Sequence, residues 1–147
     1  MKHKTSEIEI IYRPMKNNMH QIVNRRQAYK ILVGNWNNDT GNIFEEFKIL
    51  LLDSSSQVLG VLSMFNGGTK TCSDKIPFLF SLVLKSFAKA IVTCHHNPLD
   101  TKQLNGNESV IYDKITELSE VYKIKYLDNI IITENSKNSR IYEGFQC

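Results

Sequence analysis

The chain has 147 residues, of which 41% are hydrophobic and 22% charged, and its formal net charge is +3. This length and apolar fraction suit one compact domain with a buried core, and the mild charge argues against a strongly basic nucleic-acid-binding protein. Three widely spaced cysteines exclude a disulfide framework, and no run reaches the roughly 18 apolar residues of a membrane span. We expect one cytoplasmic domain over residues 1–147, with residues 1–6 frayed and no signal peptide.

The N-terminal part of the chain predicts a strand followed by a helix. Residues 8–12 form a short, mostly apolar run that stops before Pro14, which is typical of a strand. Asn24 can cap a helix that runs to about Trp36, because Ala28 and Leu32 fall on the same side of it as that tryptophan.

A turn cluster and a β-hairpin come next. The turn lies at 37–41, the strands at 44–52 and 58–65, and the hairpin turn at 53–56. In the first of these strands Glu45 shares a face with three apolar residues, namely Phe47, Ile49 and Leu51.

The C-terminal half alternates helices and strands. Residues 75–88 are apolar nearly all round, which predicts a helix buried between layers. The other predicted elements are a buried strand at 90–94, a polar loop at 97–106, a helix at 107–122, and closing strands at 126–133 and 141–145 joined by a turn at 134–138. This mixture predicts an α/β (α+β) fold in which a mixed sheet lies between helices, in three layers.

The segment His95-His96-Asn97-Pro98 carries the most chemical information in the chain. If the strand at 90–94 continues through it, His95 and Asn97 leave one face of the sheet and His96 leaves the other. Two histidines at i and i+2 would form half of a zinc site, since imidazole nitrogens suit Zn²⁺. Here the second position holds an amide.

This segment and several others resemble the RadC-type JAB/MPN (JAMM) domain, in its short stand-alone form. The family motif Ala-His-x-His-Pro-Ser-Gly resembles residues 94–100, and its strand Val-Leu-Asp-His resembles residues 126–129 at an ungapped spacing from Pro98. The other matching segments are 7–14, 45–53, 57–61 and the glycine pair at 67–68. The resemblance implies the JAB/MPN fold, which is cytidine-deaminase-like.

The resemblance also implies roles for five positions. The family's general base falls on Glu45, its first metal-binding histidine on His95 and its second on Asn97. The family's serine near the oxyanion falls on Asn105, and its metal-binding aspartate falls on Glu108. The base, the first histidine and a carboxylate are therefore kept, whereas one imidazole and one hydroxyl are lost.

Two functions follow from this partial motif. An intact JAMM site holds zinc, which activates a water molecule for attack on an amide or isopeptide bond. An amide at Asn97 is a poor zinc ligand, so the zinc is expected to be absent or weakly bound. The first function is therefore a catalytically impaired module that binds a protein or peptide partner. The alternative is an active hydrolase with a variant metal site, in which His96, through a β-bulge, or Asp100 supplies the missing ligand.

Each of these residues also has a structural interpretation. Glu45 can be a charge at the exposed end of a strand, and His95 can be a hydrogen-bonded core histidine. Glu108 can stabilise the dipole at a helix start, and Asn105 can cap that helix. Cys94 is expected to be a small core residue.

The sequence leaves two further kinds of partner open, namely nucleic acid and a second copy of the chain. The basic residues of the N-terminal part could contact nucleic-acid phosphates, in keeping with the family's historical tie to DNA repair, although a solvated face is commoner. These residues are Lys2, Lys4, Arg13, Lys16, Arg25, Arg26 and Lys30. An open edge strand would allow a dimer.

Overall fold

The computed structural model describes residues 4–15, 20–35, 45–66, 69–97 and 106–133, and side chains at 4–15, 20–35, 47–63, 75–95 and 110–132. The elements in chain order are α1 (Arg25–Gly34), β1 (Glu45–Leu52), β2 (Val58–Asn66), α2 (Thr69–Lys85), β3 (Ala90–Asn97), α3 (Gly106–Val121) and β4 (Lys125–Thr133). None of the helices in these ranges combines the length and the apolar character that crossing a bilayer requires.

The four strands form one mixed sheet in the order β2-β1-β3-β4. Strand β1 is antiparallel to both β2 and β3, whereas β3 and β4 are parallel. A parallel pair needs a crossover connection, and α3 provides it. The register of β3 against β4 shifts once, between Ile91 and Val92, where β4 carries Leu127 as an extra residue.

Helices cover both faces of the sheet, which confirms the three-layer α+β prediction. Helices α2 and α3 cover one face, here the α2/α3 face, around a core that includes Phe47, Ile49, Leu51, Phe80, Val83, Ile91 and Ile115. Helix α1 covers the other, the α1 face, around Ala28, Leu32, Leu50, Leu52, Val92, Cys94 and Ile130. Cys94 is fully buried there, as expected of a small core residue.

The start of α1 is fixed by side-chain hydrogen bonds that the sequence predicts in part. The Asn24 side chain accepts a hydrogen bond from the Gln27 amide at 3.0 Å, which confirms Asn24 as the N-cap. In return, the Gln27 side chain accepts one from the Val23 amide at 2.8 Å. The first bond satisfies an amide that the first helical turn leaves without a partner, and the second fixes the chain just before the N-cap.

The strand predicted at residues 8–12 does not form. These residues have no regular structure, and Ile8 is 92% exposed. The described anchor of this segment is the Tyr12 hydroxyl, which donates a hydrogen bond to the Leu59 carbonyl at 2.7 Å. The strand prediction failed because an apolar run forms a strand only where it can pair with a neighbour or cover an apolar face, and among the described residues Ile8 is almost fully exposed.

The prediction that the helix at 75–88 is buried on all sides is also wrong. Helix α2 begins earlier and ends earlier, at Lys85, and Phe78 on its outer side is 61% exposed. Because α2 is in an outer layer, one stripe of it can reach the sheet, through Ile76, Phe80 and Val83. A helix with apolar residues on every side can lie in an outer layer as well as at the centre of a fold, so this composition did not predict the exposed side of α2.

The remaining elements agree with the sequence to within a few residues, including the hairpin turn at 53–56. Several predictions lie outside the described residues. They are the frayed end at 1–3 with Lys2, the basic Lys16, the helix end at Trp36, the turn at 37–41, the glycine pair at 67–68, the loop residues 98–105 with Asp100 and Asn105, and everything predicted at 134–147.

Candidate functional site

The sheet register brings the candidate residues of β1 and β3 to one end of the sheet. Phe47 lies opposite His95 in the antiparallel pair. Glu45 is the first residue of β1 and Asn97 is the last of β3, so each lies two residues beyond that pair in the same direction. Since side chains alternate along a strand, both positions belong to the α2/α3 face, like Phe47. We call this end of the sheet the site end.

Glu108 is brought to the same end by chain topology. It is the third residue of α3, the helix that connects the parallel strands β3 and β4. A crossover helix runs antiparallel to the strands that it joins, so its first turn lies near the carboxyl end of β3. The backbone thus gathers Glu45, His95, Asn97 and Glu108 at the site end, on the side of the sheet that α3 covers. The side chains of Glu45, Asn97 and Glu108 lie outside the described set.

His95 is buried, with 5% of its surface exposed. It pairs with Phe47 of β1 and with Ile131 of β4, both of them buried. His95 also takes part in a polar, ring or electrostatic interaction with the surrounding protein. His95 therefore lies at the edge of the core beneath α2 and α3, and it is not without a partner.

The backbone at His96 bears on the alternative ligand set. Residues 95–97 pair in regular sequence with Ile131, Ile132 and Thr133 of β4, without a register shift. Regular pairing places His96 on the α1 face, opposite to His95. The β-bulge that would redirect His96 toward His95 does not occur in this pairing.

A chain of buried and half-buried polar groups lies directly below His95 on the α2/α3 face. Thr93, two residues before His95, is fully buried. Its hydroxyl is 2.5 Å from the Tyr126 hydroxyl and donates a hydrogen bond to the Asn129 side-chain oxygen at 2.9 Å. Burial raises the pKa of Tyr126 above its usual value; the hydrogen bond with Thr93 opposes this shift, and the Asp128 charge adds to it.

The register shift at Leu127 is what allows this contact. Tyr126 pairs with Ile91 on the α2/α3 face, whereas Asp128 pairs with Val92 on the α1 face. Strict alternation would have put residues 126 and 128 on the same side of the sheet, so one extra residue in β4 separates them. Sequence reasoning missed the polar chain because a single-residue bulge leaves no periodic signal.

On the α1 face, Asp128 holds the start of α1 against the sheet. Its two carboxylate oxygens accept hydrogen bonds from Arg25, one from Nε and one from Nη2, the latter at 2.7 Å. The Asn129 amide donates a third, at 2.8 Å. The Arg25 and Asp128 side chains are 13% and 4% exposed. The Arg25 guanidinium is therefore bound to a carboxylate, unlike a member of an open phosphate-binding patch.

A signal for this ion pair was present in the sequence. A positive side chain in the first turn of a helix is unfavourable, because that end of the helix dipole is also positive. Arg25 is the first residue of α1, and its first turn contains no acidic residue. A carboxylate near such a cation offsets this unfavourable interaction, but the sequence does not identify Asp128 as the partner.

Comparison with known proteins agrees with the motifs. The RadC-like JAB domain family matches residues 22–144. A UPF0758 protein of Flavobacterium johnsoniae is 30% identical over 100 residues, which are 68% of this chain and 44% of that protein. UPF0758 proteins of Shewanella pealeana and Shewanella amazonensis are each 27% identical over 89 residues, which are 60% of this chain and 40% of the relative.

The matched segments thus cover less than half of the length of these relatives. The family match, in contrast, takes in most of this chain, from Ile22 before α1 to beyond β4. It includes the site end, the polar chain below His95 and the Arg25–Asp128 pair. With the mixed three-layer fold in agreement, the chain belongs to the RadC-like JAB domain family.

Proposed function

We propose that this chain is a catalytically impaired RadC-like JAB domain that acts as a binding or scaffold module for a protein or peptide. The observation that supports it is the set of residue types at the site end, where the backbone positions of His95, Asn97 and Glu108 supply one imidazole, one amide and one carboxylate. The family motif has two imidazoles and a carboxylate at these positions.

The chemistry of this donor set does not fit a catalytic zinc. Zinc in hydrolases takes three nitrogen, sulfur or carboxylate ligands and leaves one position for water. A neutral amide oxygen suits harder cations such as Ca²⁺ instead. With Asn97 in place of the second imidazole, two suitable ligands remain at these three positions, one fewer than a catalytic zinc takes from the protein.

The burial of His95 supports a structural role for the retained imidazole. A histidine that packs at 5% exposure between Phe47 and Ile131 contributes to the core of the α2/α3 face whether or not it binds a metal. A non-catalytic member would therefore keep this residue. Members of the JAB/MPN group without the full motif are protein-interaction partners, and this resemblance supplies the proposed class of partner.

The test is zinc affinity, measured by competition with a chromophoric chelator on the full chain and on two variants. Asn97→His restores the second imidazole, and we expect it to raise zinc affinity at least ~10-fold, the size of effect that even an outer-shell partner has on zinc sites. Asn97→Gln is the matched control, because it keeps an amide and should leave the affinity unchanged. Purified wild-type protein should carry little zinc.

One result would overturn the proposal in favour of the active hydrolase. Near-stoichiometric zinc in the wild-type protein, lost in both His95→Ala and Glu108→Ala, would show a working variant site. Cleavage of an isopeptide substrate that depends on Glu45 would then follow, since the family places the general base there. Circular dichroism of each variant checks that the fold is retained.

A further inference from the structure

A groove of about 680 Å³ lies at the end of the sheet opposite to the site end. Its position follows from the strands: Asp53 comes directly after β1, and Ala90 and Lys125 are the first residues of β3 and β4. The residues that line it are Gln21, Ile22, Val23, Asp53, Ser54, Ser56, Lys89, Ala90, Lys123, Lys125 and Leu127. We call it the lysine groove, after Lys89, Lys123 and Lys125.

The three lysines converge because the backbone brings their segments together. The Lys125 amide donates a hydrogen bond to the Lys89 carbonyl at 2.9 Å, where β3 and β4 begin side by side. Lys123 ends the turn after α3 in a left-handed conformation, with φ of 56°, two residues before β4. All three side chains are exposed. Surface lysines are usually scattered, whereas these three face one concavity.

The positive charge of the groove is not neutralised by the described residues. Lys89, Lys123 and Lys125 form no ion pair with a described carboxylate. The acidic residue in the lining is Asp53, whose Oδ1 accepts hydrogen bonds from the Ser55 and Gln57 amides at 2.8 and 2.9 Å. That carboxylate holds the hairpin turn, so the lining keeps an excess of two positive charges, three lysines against one aspartate.

The floor of the groove is apolar. Ile22 and Ala90 are buried beneath it, at 5% and 6% exposure, and Leu127 of the β4 bulge adds to them. A concave apolar floor with a few charged groups at its rim is typical of small-molecule sites, which commonly measure ~300–1,000 Å³. The volume and this division of polarity suit a ligand with a flat apolar part and an anionic part.

From these observations we infer that the lysine groove binds a nucleotide-sized phosphate ester, either free or at the end of a strand. The three ammonium groups hold the phosphates, and the base lies on the apolar floor formed by Ile22, Ala90 and Leu127. Lysine is a common phosphate ligand as a mobile point charge. This site lies at the far end of the sheet from Glu45 and His95, so it is independent of whether the domain binds zinc.

The test is a titration of the full chain with ATP and with adenosine in phosphate-free buffer at ~50 mM salt, where surface charges are weakly screened. Two-dimensional amide NMR reports the binding site and the affinity. We expect saturable ATP shifts at residues 53–56, 89–90 and 123–127, and binding of adenosine at least ~10-fold weaker. A 5′-phosphorylated trinucleotide, titrated in parallel, distinguishes a strand end from a free nucleotide as the preferred source.

Two triple variants distinguish ATP binding in the lysine groove from a general attraction of ATP to the positive charge of the chain. Changing Lys89, Lys123 and Lys125 together to Gln should weaken ATP binding at least ~10-fold. The control changes Lys4, Arg13 and Lys30 to Gln, which removes the same charge outside the groove and should alter the affinity less than ~2-fold. Equal losses in both variants, adenosine binding as tight as that of ATP, or no saturable ATP binding would overturn the inference.

Discussion

Replacement of Asp128 tests whether one buried ion pair holds α1 against the sheet. Asp128→Leu removes the acceptor of three hydrogen bonds, of which Arg25 donates two and the Asn129 amide donates one. It also leaves the guanidinium without its counter-ion. Breaking a buried pair in this way costs roughly 3–5 kcal/mol. Because the Arg25 side chain keeps 13% exposure, water can partly solvate it, and we expect a loss near the lower bound, about 3 kcal/mol.

The double variant separates the cost of a stranded charge from the value of the pair. Arg25→Met with Asp128→Leu removes both charges, so most of the lost stability should return. A deficit of about 1–2 kcal/mol should remain, since the Asn129 amide still lacks its acceptor. The free energy of unfolding is measured by urea denaturation. A shift of the denaturation midpoint reports a change in stability when the dependence of that free energy on urea concentration is unchanged.

Asp113→Asn is the matched control, because Asp113 is an exposed carboxylate on α3. It should change the stability by less than about 0.5 kcal/mol. A loss below about 1 kcal/mol in Asp128→Leu, or a double variant that is no more stable than Asp128→Leu alone, would refute the reasoning.

Three further perturbations have defined outcomes. Burial raises the pKa of Tyr126, so the folded protein keeps a proton that the unfolded chain loses above about pH 10. The free energy of unfolding should therefore fall by up to ~1.4 kcal/mol per pH unit above that point. In Tyr126→Phe, the free energy of unfolding measured in urea should depend less steeply on pH between 9 and 11. Phe87 is 77% exposed at φ of 60°, so Phe87→Gly should raise the thermal midpoint by relieving about 1 kcal/mol of strain, whereas Phe87→Ala keeps the strain and should not. Asp53→Ala removes the acceptor of two hairpin amides and should cost about 1–2 kcal/mol in urea unfolding, whereas Asp53→Asn, which keeps an acceptor oxygen, should cost less.

Local patterns in the sequence predicted the elements wherever one periodicity decided the outcome. Ala28 and Leu32 fix the buried side of α1, and alternation from Phe47 to Leu51 fixes the face of β1. The same parity argument, carried into β3, predicts that His95 and Asn97 belong to one face of the sheet. The regular pairing of Asn97 with Thr133 confirms that the strand continues that far.

Predictions failed where the outcome depended on parts of the chain far apart in sequence. Residues 8–12 have the apolar composition of a strand, but whether they pair depends on an open partner surface. The Arg25–Asp128 pair joins residues 103 positions apart, and the Thr93–Asn129 bond joins residues 36 apart. A single sequence does not identify the partner in such pairs, even where a cation at a helix start, such as Arg25, favours having one.

The extra residue in β4 shows how one local irregularity organises both faces of the sheet. Because Leu127 interrupts the alternation, Tyr126 turns to Thr93 on the α2/α3 face while Asp128 turns to Arg25 on the α1 face. Neither contact involves His95 or the backbone at Asn97. The scaffold below the site end is therefore held by interactions that do not require a metal ligand. For that reason, exchanging Asn97 for histidine should change the donor set while leaving the fold intact, so that zinc affinity reports the chemistry of the site end alone.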